Sequence, residues 1–236
     1  MTFKHYAIVT VYWEPDERQP KFSQCFTPEW VDKLARNAKA KVGFSHDFVV
    51  VTNEDRSSFV EDVVVWKPQA SIMPGTHWLL EPYNPFLPYT RCMFVGLDTV
   101  FTGDCRDLMA LPSDFATIRD PFKPKKMASG VVVWTPGMEE SDLLWFAYKD
   151  NAPTDFIYQG PYVNPVIRGQ MSDMALMNEV IGVPDTWIDD ALPGQCLSYK
   201  AHVKRGHPID DCRVLYFHGN PKQHQIEDEW IVKEWR

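Results

Sequence analysis

The chain has no glycine before Gly43, although twelve occur in its 236 residues. A glycine-rich loop that cradles phosphates after the first strand is therefore excluded. None of the five cysteines (Cys25, Cys92, Cys105, Cys196 and Cys212) forms a C-x-x-C pair. An odd count at irregular spacing argues against a disulfide framework and fits reduced thiols in a cytoplasmic protein. No apolar run reaches membrane-spanning length, and no basic segment followed by a long apolar one opens the chain. Neither a membrane span nor a signal peptide is expected. Basic residues are in the minority, 24 against 32 acidic ones, and the formal net charge is −8. With no long basic stripe, such a surface repels nucleic acid, so any anionic ligand must be small and locally neutralised. Internal repeats and low-complexity tracts are also missing.

What is present is apolar material for a core: 44% hydrophobic and 14% aromatic residues. That length supports one large domain or two small ones. Nineteen prolines argue against a helical bundle. Residues Tyr6 to Tyr12 read as a buried strand. Thr27-Pro28-Glu29 reads as a helix start, with a hydroxyl at the N-cap, proline in the first turn and an acid behind it. That helix is expected to run to about Lys41, with Trp30, Leu34 and Ala38 facing inward. Further strands are expected at Asp47 to Thr52, Val63 to Trp66, Met93 to Leu97, Ala116 to Arg119, Gly130 to Trp134 and Arg213 to Phe217. Lys67 to Thr90 reads as a loop or broken helix. Helices are expected over Ser141 to Asp150 and Ser172 to Ile181, each with its serine as N-cap. Asn151 to Gln170 reads as a shaped loop of the kind that carries function, and Ile226 to Arg236 as a short docked helix. Alternation of strand and helix makes this an α/β fold.

The densest signal is Arg91-Cys92-Met93-Phe94-Val95-Gly96-Leu97-Asp98-Thr99-Val100-Phe101. An acid at the carboxyl end of a central strand sits at the ligand crevice of an α/β sheet. Asp98 is a candidate ligand for a hard divalent cation; the plainer reading has it capping a turn or pairing with Arg91 or Arg106. His218-Gly219-Asn220-Pro221-Lys222 offers an imidazole ligand, a flexible backbone and a point charge for phosphate, or merely a turn with a surface lysine. Arg119-Asp120 and Ser129-Gly130 could meet sugar hydroxyls. Their plainer readings are a local surface ion pair, worth about 1 kcal/mol or less, and an ordinary turn. Asp173 is either a second carboxylate in the crevice or a first-turn acid behind the Ser172 cap. His202, His207 and His224 lack zinc spacing and are expected to face solvent.

The order of these segments resembles the nucleotide-sugar glycosyltransferases with the A-type fold, particularly the glycogenin and galactosyltransferase-like group. The resemblance runs from Ala7 to about Lys222. It rests on IVTVYW, GLDTVFTGD, RD, SGVVVW, SDMAL and HGNPK, in that order. It implies a single-domain fold over residues 1–225, followed by a tail at 226–236, with a mixed, mostly parallel central sheet flanked by helices. It implies that Thr10, Val11 and Tyr12 hold the nucleoside and that Asp98 and His218 bind Mn²⁺ or Mg²⁺. Gly219 and Lys222 would hold the diphosphate, and Arg119, Ser129 and Asp173 would meet donor sugar or acceptor, with Arg119 and Asp173 in catalytic roles. Two positions depart from the family pattern. Gly96 stands where the first aspartate of an aspartate-x-aspartate metal motif belongs, and Ala128 stands where asparagine often precedes Ser-Gly.

The resemblance thus implies transfer of a sugar from a nucleoside diphosphate sugar, a UDP-sugar foremost, to an acceptor hydroxyl, with metal assistance and retention of configuration. The partners expected are that donor and a sugar or other hydroxyl acceptor. Two alternatives stand beside it. Gly96 favours a non-catalytic nucleotide-sugar-binding homologue. A nucleotidyltransferase on a related sheet is disfavoured by the glycine-free N-terminal segment.

Overall fold

β1 (Lys4–Val11) is buried on both faces, and the rest of the fold is arranged around it. Ala7, Val9 and Val11 enter one core with Trp78, Trp134 and Leu144, while Ile8 enters another with Leu34 and Val131. A strand with apolar side chains on both faces belongs in the middle of a parallel sheet covered on two sides. The computed structural model describes residues 4–15, 21–71, 74–151 and 172–235.

β1 lies between β2 (Asp47–Val51) and β4 (Tyr89–Val95), parallel to both, and β3 (Val64–Trp66) extends the sheet beyond β2. On the other side come β7 (Lys123–Trp134), antiparallel to β4, and β6 (Phe115–Asp120), antiparallel to β7. β8 (Thr186–Trp187) closes the seven-stranded order β3-β2-β1-β4-β7-β6-β8. A second sheet joins β5 (Thr99–Phe101), β10 (Val214–Tyr216) and β9 (Cys196–Ser198) in the order β5-β10-β9. The helices are α1 (Pro28–Lys41), α2 (Arg106–Met109), α3 (Glu139–Asn151), α4 (Asp173–Val180), α5 (Ile188–Ala191) and α6 (Glu229–Glu234). The α/β class and the mixed, mostly parallel sheet flanked by helices are as expected.

α1 has the expected limits, with Pro28 and Glu29 in its first turn and Lys39 and Lys41 in its last, and it buries Trp30, Leu34 and Ala38. These charges complement the helix dipole. Thr27 is in extended conformation but makes no side-chain cap bond. Ser172 does cap, its Oγ accepting from the Ala175 amide at 3.4 Å. Ser141 does not: α3 starts two residues earlier, and the Ser141 hydroxyl donates back to the carbonyls of Met138 and Thr135. The broken stretch contains a 3₁₀ segment, Thr76–Tyr83, with Pro82 inside it. The tail docks through α6, where Trp235 packs on Trp30 with ring centres 5.0 Å apart and Lys41 bonds Glu234 at 2.7 Å.

Three expectations are corrected. The central strand spans residues 89–95, not 93–97; Gly96 keeps only a long bond from its amide to the Gly130 carbonyl, at 3.4 Å, and Asp98 lies three residues beyond the strand end. Ser129-Gly130 neither starts a strand nor forms a turn; it lies inside the 12-residue β7. His202 is half-buried, its Nδ1 accepting from the Ser198 amide at 3.0 Å, whereas His207 and His224 are exposed as expected. The expected functional loop, Asn151 to Gln170, lies outside the described residues except for Asn151, which ends α3. Among the described residues no helix is long and apolar enough to cross a membrane, and no disulfide joins any of the five cysteines.

Candidate active site

Gly96 and Val11 mark the carboxyl ends of β4 and β1, and both line a cavity of about 430 Å³. This is where an open α/β sheet binds ligands, and the volume suits a small molecule. Beyond Gly96 the chain crosses to the small sheet through Asp98. The Asp98 carbonyl accepts the Phe217 amide at 2.8 Å, which brings the end of β10, and hence His218, to the same place. Val11, Asp98, Ser129, Asp173, His218, Gly219 and Lys222 all line this one cavity.

Lys222 donates through Nζ to Asp98 Oδ2. The Lys222 side chain is 3% exposed and that of Asp98 19%, so the lysine is almost fully desolvated. Its ammonium also lies 5.2 Å from the ring centre of Phe26, which lines the cavity too. The ion-pair partner of Asp98 is thus neither Arg91, which donates to Ser113, Thr135 and Leu111, nor Arg106, which binds Asp104. Gly219 has a left-handed φ of 65°, a conformation that glycine adopts without strain.

His218 Nε2 lies 2.8 Å from Ser198 Oγ at the end of β9, and that oxygen also accepts the Ala201 amide. Burial, aided by Lys200, holds the imidazole below its ordinary pKa; Asp98 offsets part of this. His218 is therefore neutral near pH 7.

A second polar pair faces them. Ser129 Oγ donates to Asp173 Oδ2. The pair exists because β7 bulges: Thr117 pairs with Val132 but Ile118 with Ala128, leaving Ser129, Gly130 and Val131 outside the β6 register. The Thr117 hydroxyl spans the bulge, reaching the carbonyls of Ala128 at 2.7 Å and Val131 at 3.2 Å. Such a bulge re-aims a side chain beside a site. Burial pushes the Asp173 carboxyl up, against the lowering effect of the Ser129 bond and of two backbone amides.

Three expected residues stand apart. The Arg119 guanidinium binds Asp190 and the Pro124 carbonyl and lies 4.2 Å from the Trp187 ring centre, so it ties the β6–β7 hairpin to α5 and does not line the cavity. It does not pair with Asp120, whose carboxylate accepts the Phe122 and Lys123 amides. Thr10 is fully buried within β1. Tyr12 is packed edge-on to Phe59, and its burial pushes the phenol up to about 12. Only Val11 of that trio reaches the cavity. Sequence reading missed Phe26, Phe122 and Ser198. Phe122 is half-exposed at the hairpin tip and sits edge-on to His218 at 5.3 Å. An exposed aromatic in the turn after Asp120 was a usable signal; for Ser198, placed by β9–β10 pairing, there was none.

The expected metal can be tested against these residues. Asp98 and His218 are the two candidate ligands. One Asp98 oxygen is taken by Lys222, and one His218 nitrogen is engaged by Ser198. Among the described residues no group of three His, Cys, Asp or Glu side chains is placed to hold an ion. Hard divalent cations seek about six oxygen ligands. While Lys222 holds Asp98, Asp98 and His218 alone do not make a divalent centre, and an ion there would need most of its ligands from water or substrate phosphate.

No protein-family model matches the chain, and no curated protein sequence does either. Solved structures do. The glycosyltransferase GlyE of Streptococcus pneumoniae TIGR4 superposes with a TM-score of 0.65 at 13% identity over 98% of this chain and 61% of its own. The bifunctional glycosyltransferase WbbM gives 0.62 at 12% over 98% of this chain and 49% of its own. The galactosyltransferase LgtC, solved with donor and acceptor sugar analogues, gives 0.56 at 9% over 98% and 96%. The chain thus spans about three-fifths of the first and half of the second. These likenesses establish the fold: it is the A-type glycosyltransferase fold.

Proposed function

We propose that this protein is a glycosyltransferase that moves a sugar from a nucleoside diphosphate sugar, with UDP-sugars favoured, to an acceptor hydroxyl. The observation that carries this reading is that one cavity beyond β1 and β4 joins a cationic end, Lys222 and Gly219, to a hydrogen-bonding end, Ser129 and Asp173. The first suits a diphosphate and the second sugar hydroxyls. LgtC, whose structure holds donor and acceptor sugar analogues, supports a donor and a sugar acceptor as the ligands of this fold.

In the reaction the bond from the anomeric carbon to the diphosphate oxygen breaks and a bond to the acceptor oxygen forms. The acceptor's proton leaves with the diphosphate. Lys222 stabilises the negative charge that grows on the leaving group. Asp173, held by Ser129, orients the sugar. That arrangement supports retention, which needs no strong base. Five cysteines with no disulfide among the described residues support a reducing, cytoplasmic setting. A non-catalytic binding protein is the second reading, favoured by Gly96 alone.

The test is UDP release from a panel of UDP-hexoses offered with simple sugar acceptors, followed by NMR of the product's anomeric proton. Retained configuration and loss of turnover in Asp173→Asn are expected. Tight UDP binding without transfer or hydrolysis of any donor would favour the second reading.

A further inference from the structure

Three features of the cationic end belong together. Asp98 Oδ2 accepts from a lysine that is almost entirely buried. A Cβ on Gly96 would meet Asp98 Oδ1 at 2.8 Å. Side chains do not approach so closely, so a carboxylate at position 96 requires Asp98 to move. And the described residues hold no three-ligand set for a metal. Asp98 is thus engaged by an ammonium, and a side chain at position 96 would displace its other carboxylate oxygen.

We propose that Lys222 is the built-in cation of this site and that donor binding requires no divalent metal. The proposal rests on the donor reading above and replaces the metal assistance that the family resemblance implied. Lys222 supplies a compact point charge. Asp98 fixes its position, and the Phe26 face beneath it shields it from water. Shielding matters, because the same charge acts more strongly on a phosphate oxygen in a desolvated site than in water. Asp98 is accordingly a positioning residue for Lys222 and not a metal ligand. Gly219, free of neighbouring atoms on its Cβ side, lets the diphosphate approach the backbone.

The experiment is calorimetric titration of UDP into the full chain, once with EDTA and once with excess Mn²⁺, and the same with GDP. The expected dissociation constants for the preferred nucleotide agree within about threefold, less than 1 kcal/mol. A second protein, Asp98→Asn with Lys222→Met, removes both charges, so no charge is left buried without its partner. Its UDP affinity in EDTA is expected to fall by more than about tenfold, with the far-ultraviolet circular dichroism unchanged. Wild-type binding more than about tenfold tighter with Mn²⁺ than with EDTA overturns the proposal and leaves the donor reading standing. So does a folded double variant that keeps wild-type affinity in EDTA. Folded wild-type protein that binds neither nucleotide in either buffer overturns the donor reading and this proposal with it. If the double variant does not fold, the two-buffer comparison on the wild type decides alone.

Discussion

Ser129 and Asp173 stand 44 residues apart and meet through one hydrogen bond at the cavity wall. Ser129→Ala removes a bond to a buried carboxyl and is expected to lower unfolding free energy by about 2 kcal/mol, read from urea denaturation. If the pair faces the sugar, the same variant raises KM for the UDP-sugar but leaves UDP affinity unchanged; equal losses for both ligands would place the pair elsewhere. His218 gives a pH signature. Its folded pKa lies below the ordinary 6.5 because burial and Lys200 disfavour the imidazolium, with Lys222 acting the same way and Asp98 and Asp120 opposing. Below pH 6.5 the unfolded chain therefore binds a proton that the folded one refuses. Stability contributed by this group is intact above that pH, falls on acidification, and levels off once the folded imidazole is protonated too. Thermal melting of wild type against His218→Asn should give the shallower acid slope in the variant. Parallel slopes would mean that His218 is not the titrating group.

At the scale of elements, buried Glu81 ties three segments together. Its carboxylate, in the 3₁₀ segment, accepts the amides of Gln69 at 2.8 Å, Ala70 at 3.0 Å and Ser71 at 3.2 Å, and the Tyr148 hydroxyl of α3 at 2.9 Å. All four partners donate, so Glu81→Gln turns an amide N–H toward donors and should cost about 3 kcal/mol in denaturant unfolding; a change within experimental error would mean that water replaces the amide contacts. Nothing in the sequence announced Glu81, because its partners are assembled by a loop with no periodicity. α1, by contrast, was legible in its limits and its buried face, though not in a Thr27 side-chain cap: Thr27-Pro28-Glu29 and the spacing of Trp30, Leu34 and Ala38 are local signals. β1, β2 and β3 were legible from runs of branched apolar residues. The bulge in β7 was not, since a bulge is a mismatch between two strands and neither strand carries it alone. For the same reason Ser129, which lines the cavity, was read as lying at a strand start or in a turn.

At the scale of the molecule, the site depends on how the small sheet sits against the large one. Asp98 precedes β5, Ser198 ends β9 and His218 follows β10, so three site residues travel with the small sheet. The nearness of Asp98 to Lys222 was implied by the family resemblance; the ion pair itself was not, because the two lie 124 residues apart and meet only when β5 and β10 pair. One side chain of α1 fastens that sheet. Asn37 donates to the Phe101 carbonyl at 3.0 Å and accepts the Phe101 amide at 2.6 Å, copying a strand partner at the edge of β5. Asn37 is buried, so Asn37→Leu leaves both Phe101 groups unpaired away from water and should lower stability by about 3 kcal/mol. The stronger claim concerns ligand binding. If Asn37 sets the position of β5, the variant should bind UDP more weakly even at temperatures where circular dichroism finds it fully folded, although Asn37 itself does not line the cavity. Unchanged UDP affinity in the folded variant would mean that β10 pairing alone holds Asp98 in place, and the weight of positioning would pass to the Phe217 amide on the Asp98 carbonyl.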